Sequence, residues 1–122
     1  MSNEKKELFK VIGKFFVDNS RKALEELSNA PITLEFFNSM IDDLCSHYSV
    51  RNGEDYRALV DQLGHLLDQY FGADHEQIVA WLETENPELG NAKPIELVFV
   101  GFGKSVVEFV EGLIEENSTT QV

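Results

Sequence analysis

Apolar side chains recur every three to four residues along nearly the whole chain, which is the spacing of one face of an α-helix. The first such stretch begins near Glu4 and either continues to Leu27 or breaks near Asn19-Ser20. Pro31 ends this region, because proline disfavours helical backbone in the residue before it. The pattern therefore predicts one long N-terminal helix or two shorter ones.

Two further helices are predicted in the middle of the chain. Thr33 is a suitable N-cap for the first of them, and residues 51–53 predict a turn before the second. Gly72 is placed to end that helix in a left-handed conformation. The inward-facing positions of the two helices are Phe36, Phe37, Met40, Ile41, Leu44 and Tyr48, then Tyr56, Leu59, Val60, Leu63, Leu66, Leu67 and Tyr70.

The last third of the chain predicts shorter helices. Asp74 and Gln77 have capping-box spacing, and Pro94 fits the first turn of a helix. The run "IELVFVGFG" has strand-like residue types, but a single strand has nothing to pair with, so we interpret it as a buried helical turn ending at Gly101. A final helix is followed by a polar tail from about Asn117. The predicted fold is all-α, a compact bundle of about five or six helices with a Pro/Gly-rich turn between the later short helices.

Charge narrows the choice of partners. The chain of 122 residues has a formal net charge of −12, and such a surface repels nucleic acid and anionic lipid. A basic protein partner is favoured instead. The single cysteine, Cys45, and the absence of a signal-like N-terminus predict a cytoplasmic protein, and no apolar run reaches membrane-spanning length.

Several candidate chemical sites fail on spacing. "GFGKSV" resembles the end of a phosphate-binding P-loop, but Val98 stands where that loop needs its first glycine. Cys45 and His47 are two residues apart and point to different faces of a helix, so they do not share a zinc ion. Most of the carboxylates lie at polar positions typical of a solvated surface. We therefore predict no enzymatic activity, no catalytic residues, no metal and no cofactor.

A DNA-binding regulator acting through the N-terminal helices is the main alternative. The first helical region holds the one concentration of basic side chains, interrupted by Glu4, Glu7, Glu25 and Glu26. The helix after Pro31 carries Glu35, Asp42 and Asp43 but no Lys or Arg, which is improbable for a recognition helix. Nucleic acid is therefore disfavoured as a partner, although the alternative stays open.

The later part of the chain resembles the toxin-binding domain of the Xre/MbcA/ParS-type antitoxins. That family has the order W-L, N-x-x-L-G-G, P-x-x-L and then a Gly before a final apolar helix. Asn91 stands where the family often has a second glycine, a mild departure because Asn tolerates left-handed backbone. The matching residues, from which we predict the partner-binding or motif positions, are Trp81, Leu82, Asn86, Pro87, Leu89, Gly90, Asn91, Pro94, Leu97 and Gly101.

The resemblance implies a non-catalytic protein that binds and neutralises a toxin, typically a RES-type enzyme that consumes NAD. It covers about residues 57–116, so we divide the chain into an N-terminal helical region of unknown role, 1–55, and an antitoxin-like toxin-binding domain with a polar tail, 56–122. Many family members carry a DNA-binding helix-turn-helix in their N-terminal part, and residues 1–50 of this chain show no pattern for one. That part is either a dimerisation arm, which makes a homodimer an open alternative, or a portion of one shared core. A domain of this family that binds another protein is the remaining alternative.

Overall fold

The computed structural model describes residues 2–28, 31–48 and 51–120, and within these ranges the chain folds into seven α-helices and one 3-10 turn. No strand occurs in the described part, which confirms the all-α fold. In chain order the elements are α1 (Asn3–Asn19), α2 (Arg21–Ser28), α3 (Leu34–Tyr48), α4 (Arg51–Phe71), α5 (His75–Glu83), the 3-10 turn (Pro87–Leu89), α6 (Pro94–Phe99) and α7 (Gly103–Thr120).

The helix count exceeds the predicted five or six because the N-terminal stretch is broken at Ser20. The last helical bond of α1 runs from the Ser20 amide to the Phe16 carbonyl at 2.8 Å, and the Asn19 side chain donates to the Phe15 carbonyl at 3.0 Å. Short polar side chains of this kind compete with the helical hydrogen-bond ladder. The chain therefore turns at Asn19-Ser20, one of the two predicted outcomes.

Two predicted boundaries are wrong. Residues 51–53 are the first turn of α4 rather than a separate turn. The first amides of a helix need no intrahelical partner, so Gly and Asn disturb that turn little. At the other end, α7 continues to Thr120, so the stretch from Asn117 is not a tail that leaves the helix. No glycine or proline ends α7 near Asn117, and the polar residues there extend it.

The predicted caps are confirmed. Thr33 Oγ1 accepts from the Phe36 amide at 3.1 Å, and Asp74 Oδ1 accepts from the Gln77 amide at 3.3 Å. Gly72 has a φ of 67°, as a helix-ending residue requires. Pro94 is the first residue of α6, where its missing N–H removes no hydrogen bond.

One core joins both halves of the chain. Phe9 of α1 packs edge-on against Phe109 of α7, with ring centroids 5.5 Å apart, and both side chains are buried. α4 lies along α7, and Leu63 and Leu67 of α4 belong to the same core cluster. The strand-like run is helical from Ile95 to Phe99, so this helix ends before the predicted Gly101, and residues 94–98 are all buried. The N-terminal helices therefore contribute directly to the packing of the later helices.

No helix in the described residues is both long enough and apolar enough to cross a membrane.

Candidate functional site: the loop between α5 and α6

The predicted motif forms a tightly hydrogen-bonded loop, residues 84–93, here called the motif loop. Asn86 is its centre. Its side-chain oxygen accepts from the Glu88 amide at 2.9 Å, and its carbonyl accepts from the amides of Leu89 and Asn91, each at 2.9 Å. The Asn86 amide donates to the Ala92 carbonyl at 3.1 Å, which closes the loop. Backbone conformation in this loop is therefore fixed largely by one residue.

Two consecutive left-handed residues complete the loop. Gly90 has a φ of 63° and Asn91 a φ of 68°. Gly adopts this conformation without steric cost, and Asn is among the side chains that tolerate it best. Asn91 thus adopts the conformation expected where the antitoxin pattern has its second glycine.

The motif loop lies directly against α1 through two glycines. A methyl group on Gly13 would overlap the Leu89 carbonyl and would lie 3.2 Å from the Gly90 amide nitrogen. A methyl group on Gly90 would overlap the Lys10 carbonyl and the Lys14 amide nitrogen. Because only hydrogen fits at both positions, the backbones of α1 and the loop are in contact.

Arg21 holds the other side of the loop. Its Nε and Nη2 donate to the two oxygens of the Glu96 carboxylate at 3.1 and 2.7 Å. Nη2 also donates to the Asn91 carbonyl at 2.9 Å, and Nη1 donates to Glu85 at 2.8 Å. One guanidinium at the start of α2 therefore joins α6 to both ends of the loop, in the two-point geometry that arginine forms with carboxylates.

The charges in this cluster stabilise one another. The Glu96 side chain is only 5% exposed, and its Oε1 also accepts from the Lys93 amide at 2.9 Å. Burial of the guanidinium lowers the pKa of Arg21, but the hydrogen bond and charge of Glu96, with the charge of Glu85, outweigh burial and raise that pKa above its ordinary value. A buried carboxylate is therefore compensated by an arginine that stays charged.

Trp81 lies half-buried beside the loop. Its ring stacks on Phe109 at a centroid distance of 6.3 Å and an angle of 18°, and it contacts Phe71 at 6.2 Å. Its remaining surface lines a shallow groove of about 290 Å³ with Thr84, Glu85 and Pro87. One face of the Trp81 ring therefore packs in the core, and an apolar edge of the ring remains beside the exposed loop.

The ten predicted motif residues separate into three groups by exposure. Leu82, Leu89, Pro94 and Leu97 are buried and hold the loop from beneath, and Trp81, Asn86 and Gly90 are partly buried. Pro87, Asn91 and Gly101 are exposed. Gly101, with a φ of 101°, lies in the link between α6 and α7 rather than in the motif loop.

Some residues that shape the site were not among the sequence predictions: Gly13, Arg21, Glu85 and Glu96. Glu96 had a signal, since a carboxylate within the otherwise apolar run "PIELVFV" implies a buried cationic partner. Nothing in the sequence distinguished Arg21 from the other basic side chains as that partner.

The segment from Gly101 to Gly103 joins α6 to α7, as its sequence predicted. The Tyr56 hydroxyl donates to the Val98 carbonyl and accepts from the Gly103 amide at 3.1 Å. A methyl group on Gly103 would lie 2.8 Å from that hydroxyl oxygen. The glycine that resembles a P-loop residue is therefore needed for close approach of Tyr56.

A larger cavity of about 430 Å³ opens between α3, α4, α5 and α6, away from the exposed part of the loop. Its floor is apolar, with Phe37, Leu67 and Leu82, and its rim carries Arg57 and two histidines. Arg57 is itself close to Asp42 and Asp61, at 3.3 and 3.7 Å. The cavity offers apolar contact surface, and its lining carries Asp61 and Asp68 against the single Arg57.

Comparison with known proteins adds no relative: no family model, no curated protein and no solved structure matches this chain. The resemblance to the antitoxin domain consequently depends on the motif residues alone.

Proposed function

We propose that this chain is a non-catalytic protein-binding module, an antitoxin-like protein that binds and neutralises a RES-type, NAD-consuming toxin through its motif loop. The observation that carries the proposal is the fixed conformation of that loop. Asn86 organises it internally, α1 contacts it at Gly13, and Arg21 ties it to α6. A loop that is already ordered loses little entropy on binding, which favours recognition of a partner.

The exposed surface of the loop has a definite chemistry. Pro87, Glu88 and Asn91 are exposed at its outer side, next to the apolar edge of Trp81. A rigid proline and an aromatic edge supply apolar contact, and the carboxylate supplies charge. This surface suits a basic patch with a small apolar residue at its centre, the kind of surface that an enzyme cleft for a phosphate-containing substrate would present.

The DNA-binding alternative receives less support. The exposed residues of α3 include Glu35, Asp42 and Asp43, and the lysines of α1 alternate with acidic side chains. The acidic side chains of α3 would repel the phosphate backbone of a nucleic acid, and the mixed charges of α1 would attract it only weakly. A protein partner other than a toxin would use the same loop, so identification of the partner separates those two cases.

The proposal is tested by purifying the tagged full chain from its native cells and identifying bound proteins by mass spectrometry. We expect one stoichiometric partner that consumes NAD, whose activity falls to zero as this chain is titrated to equimolar amount. Recovery of no partner, or of one whose NAD consumption is unaffected, would overturn the toxin assignment.

Matched variants locate the surface once the partner is in hand. Glu88→Lys and Pro87→Ala change exposed loop positions and should weaken inhibition at least tenfold. Asp43→Lys makes the same charge change on α3, away from the loop, and should leave inhibition unchanged. Equal effects of Glu88→Lys and Asp43→Lys would indicate that net charge rather than the loop determines binding.

A further inference from the structure

α1 exposes an apolar stripe on the side opposite the core. Leu8, Val11 and Phe15 are 55%, 61% and 63% exposed, more than Phe102, which is also exposed, at 38%. Their spacing of three and four residues places them on one face over two helical turns. Clustered apolar exposure of this kind marks a contact surface.

The buried face of the same helix is already occupied. Phe9 and Phe16 lie in the core, and Gly13 contacts the motif loop. The stripe therefore remains available while the loop is held in place.

Charge makes α1 different from the rest of the molecule. α1 contains four lysines against three acidic residues, whereas the whole chain carries a net charge of −12. Two copies would repel each other through most surfaces at that net charge, but not through α1. The helix that exposes the apolar stripe is thus also the one on which self-association is not opposed by like charge.

The charges along one edge of the stripe indicate what kind of partner fits there. Glu7 and Lys14 lie seven residues apart, so they occupy nearly the same angular position along one edge, on either side of Val11. A two-fold axis near Val11 would bring Glu7 of one copy to Lys14 of the other, and the reverse pair would form at the same time. A uniformly acidic partner would repel Glu7, and a uniformly basic partner would repel Lys14.

We propose that α1 is the contact between two copies of this chain, packed antiparallel around a two-fold axis near Val11. Within one copy Glu7 lies 4.0 Å from Lys10, and Lys14 lies 3.1 Å from Asp18. These exposed pairs contribute little, so their side chains can exchange partners on association. Glu4 and Asp18, at the two ends of the stripe, stay in solvent and limit the contact to its centre.

The contact is small. A helix of 17 residues is roughly 25 Å long, and each copy contributes three large apolar side chains. An interface of this size lies below that of stable permanent dimers. The dimer is consequently weak and depends on protein concentration.

The first test is sedimentation equilibrium of the full chain over increasing concentration. We expect the apparent mass to rise from 13.8 kDa toward twice that value. Val11→Asp should hold the protein at the monomer mass without loss of helical content, because Val11 is on the surface. Phe102→Asp, which removes an exposed apolar side chain elsewhere, should still dimerise. A chain that stays monomeric, or a dimer that Val11→Asp leaves intact, overturns the proposal.

Charge exchange tests the two-fold arrangement itself. Glu7→Lys and Lys14→Glu should each weaken the dimer, because each places like charges together, and the double variant should restore it to the original affinity. Val11→Cys in a Cys45→Ser background should be joined to its symmetry mate by a short bis-maleimide. A double variant as weak as the single ones, or no crosslinking at dimer-forming concentration, contradicts antiparallel pairing.

Discussion

The Arg21 guanidinium and the Glu96 carboxylate form a two-point ion pair between residues 75 positions apart in the sequence, with N–O distances of 3.1 and 2.7 Å. The pair joins α2 to α6, and the same guanidinium reaches Glu85 and the Asn91 carbonyl. The N-terminal region, whose role the sequence left open, therefore fixes the conformation of the motif loop.

Removal of Arg21 should destabilise the fold strongly. Arg21→Ala leaves a carboxylate buried without its cation, and the expected loss is about 3 kcal/mol in the free energy of unfolding. Urea unfolding followed by circular dichroism measures it. Lys22→Ala, an exposed neighbour, should change the same quantity by less than about 0.5 kcal/mol.

Neutralising Glu96 should reduce the cost of losing Arg21. Glu96→Gln keeps an acceptor for the Lys93 amide but removes the buried charge. In that background Arg21→Ala should cost less than half of what it costs in the original chain, as a double-mutant cycle measures. Equal costs in the two backgrounds would mean that packing of the arginine, rather than the ion pair, is the source of its effect.

A methyl group added at Gly13 tests the close contact between α1 and the motif loop. Gly13→Ala forces the helix away from the Leu89 carbonyl, and we expect a loss of about 3 kcal/mol. Gly64→Ala makes the same change in α4, where a methyl group meets open space. It should stabilise the protein by about 0.5–1 kcal/mol, since alanine is the better helix former. If both variants lose stability equally, the close approach at Gly13 is absent.

Among the described residues, Ala73 and Asn91 are the non-glycine residues with a positive φ. The φ of Ala73 is 62°. A side chain with a Cβ is strained in this conformation, so Ala73→Gly should stabilise the protein by about 1 kcal/mol. Ala80→Gly, at an exposed position within α5, should destabilise it by about the same amount. Thermal unfolding midpoints that move in the same direction for both variants would contradict this explanation.

Tyr56 should make stability fall at alkaline pH. Burial raises its pKa above the ordinary value, although hydrogen bonds involving Gly103 and Gly101 oppose the rise. The unfolded chain releases this proton near pH 10 and the folded chain at higher pH, so the contribution is complete below about pH 10 and is lost as the pH rises further.

Tyr56→Phe isolates that effect. The variant loses the hydroxyl bonds to Val98 and Gly103, so it should be less stable at pH 8 by about 1–2 kcal/mol. Its free energy of unfolding should decline less steeply above pH 10 than that of the original chain. Parallel declines of the two proteins between pH 10 and 11 would exclude Tyr56 as the titrating group.

The sequence by itself determined the helical fold and most of its boundaries. Caps at Thr33 and Asp74, the left-handed end at Gly72 and the first-turn position of Pro94 depend on interactions within a few residues, so they can be identified from local residue types. The same reasoning failed at residues 51–53, because the polar and glycine residues that favour a turn are also accepted in the first turn of a helix.

Only the tertiary structure decided what holds the motif loop. The contact of Gly13 with Leu89 and the pairing of Arg21 with Glu96 join segments more than 70 residues apart, and such contacts leave no periodic pattern in either segment. The sequence marked Glu96 as unusual within an apolar run, but several arginines and lysines could have met it. Which one does so, and which face of α1 is left exposed, follows from how the helices pack, because burial is a property of the assembled core and not of any single helix.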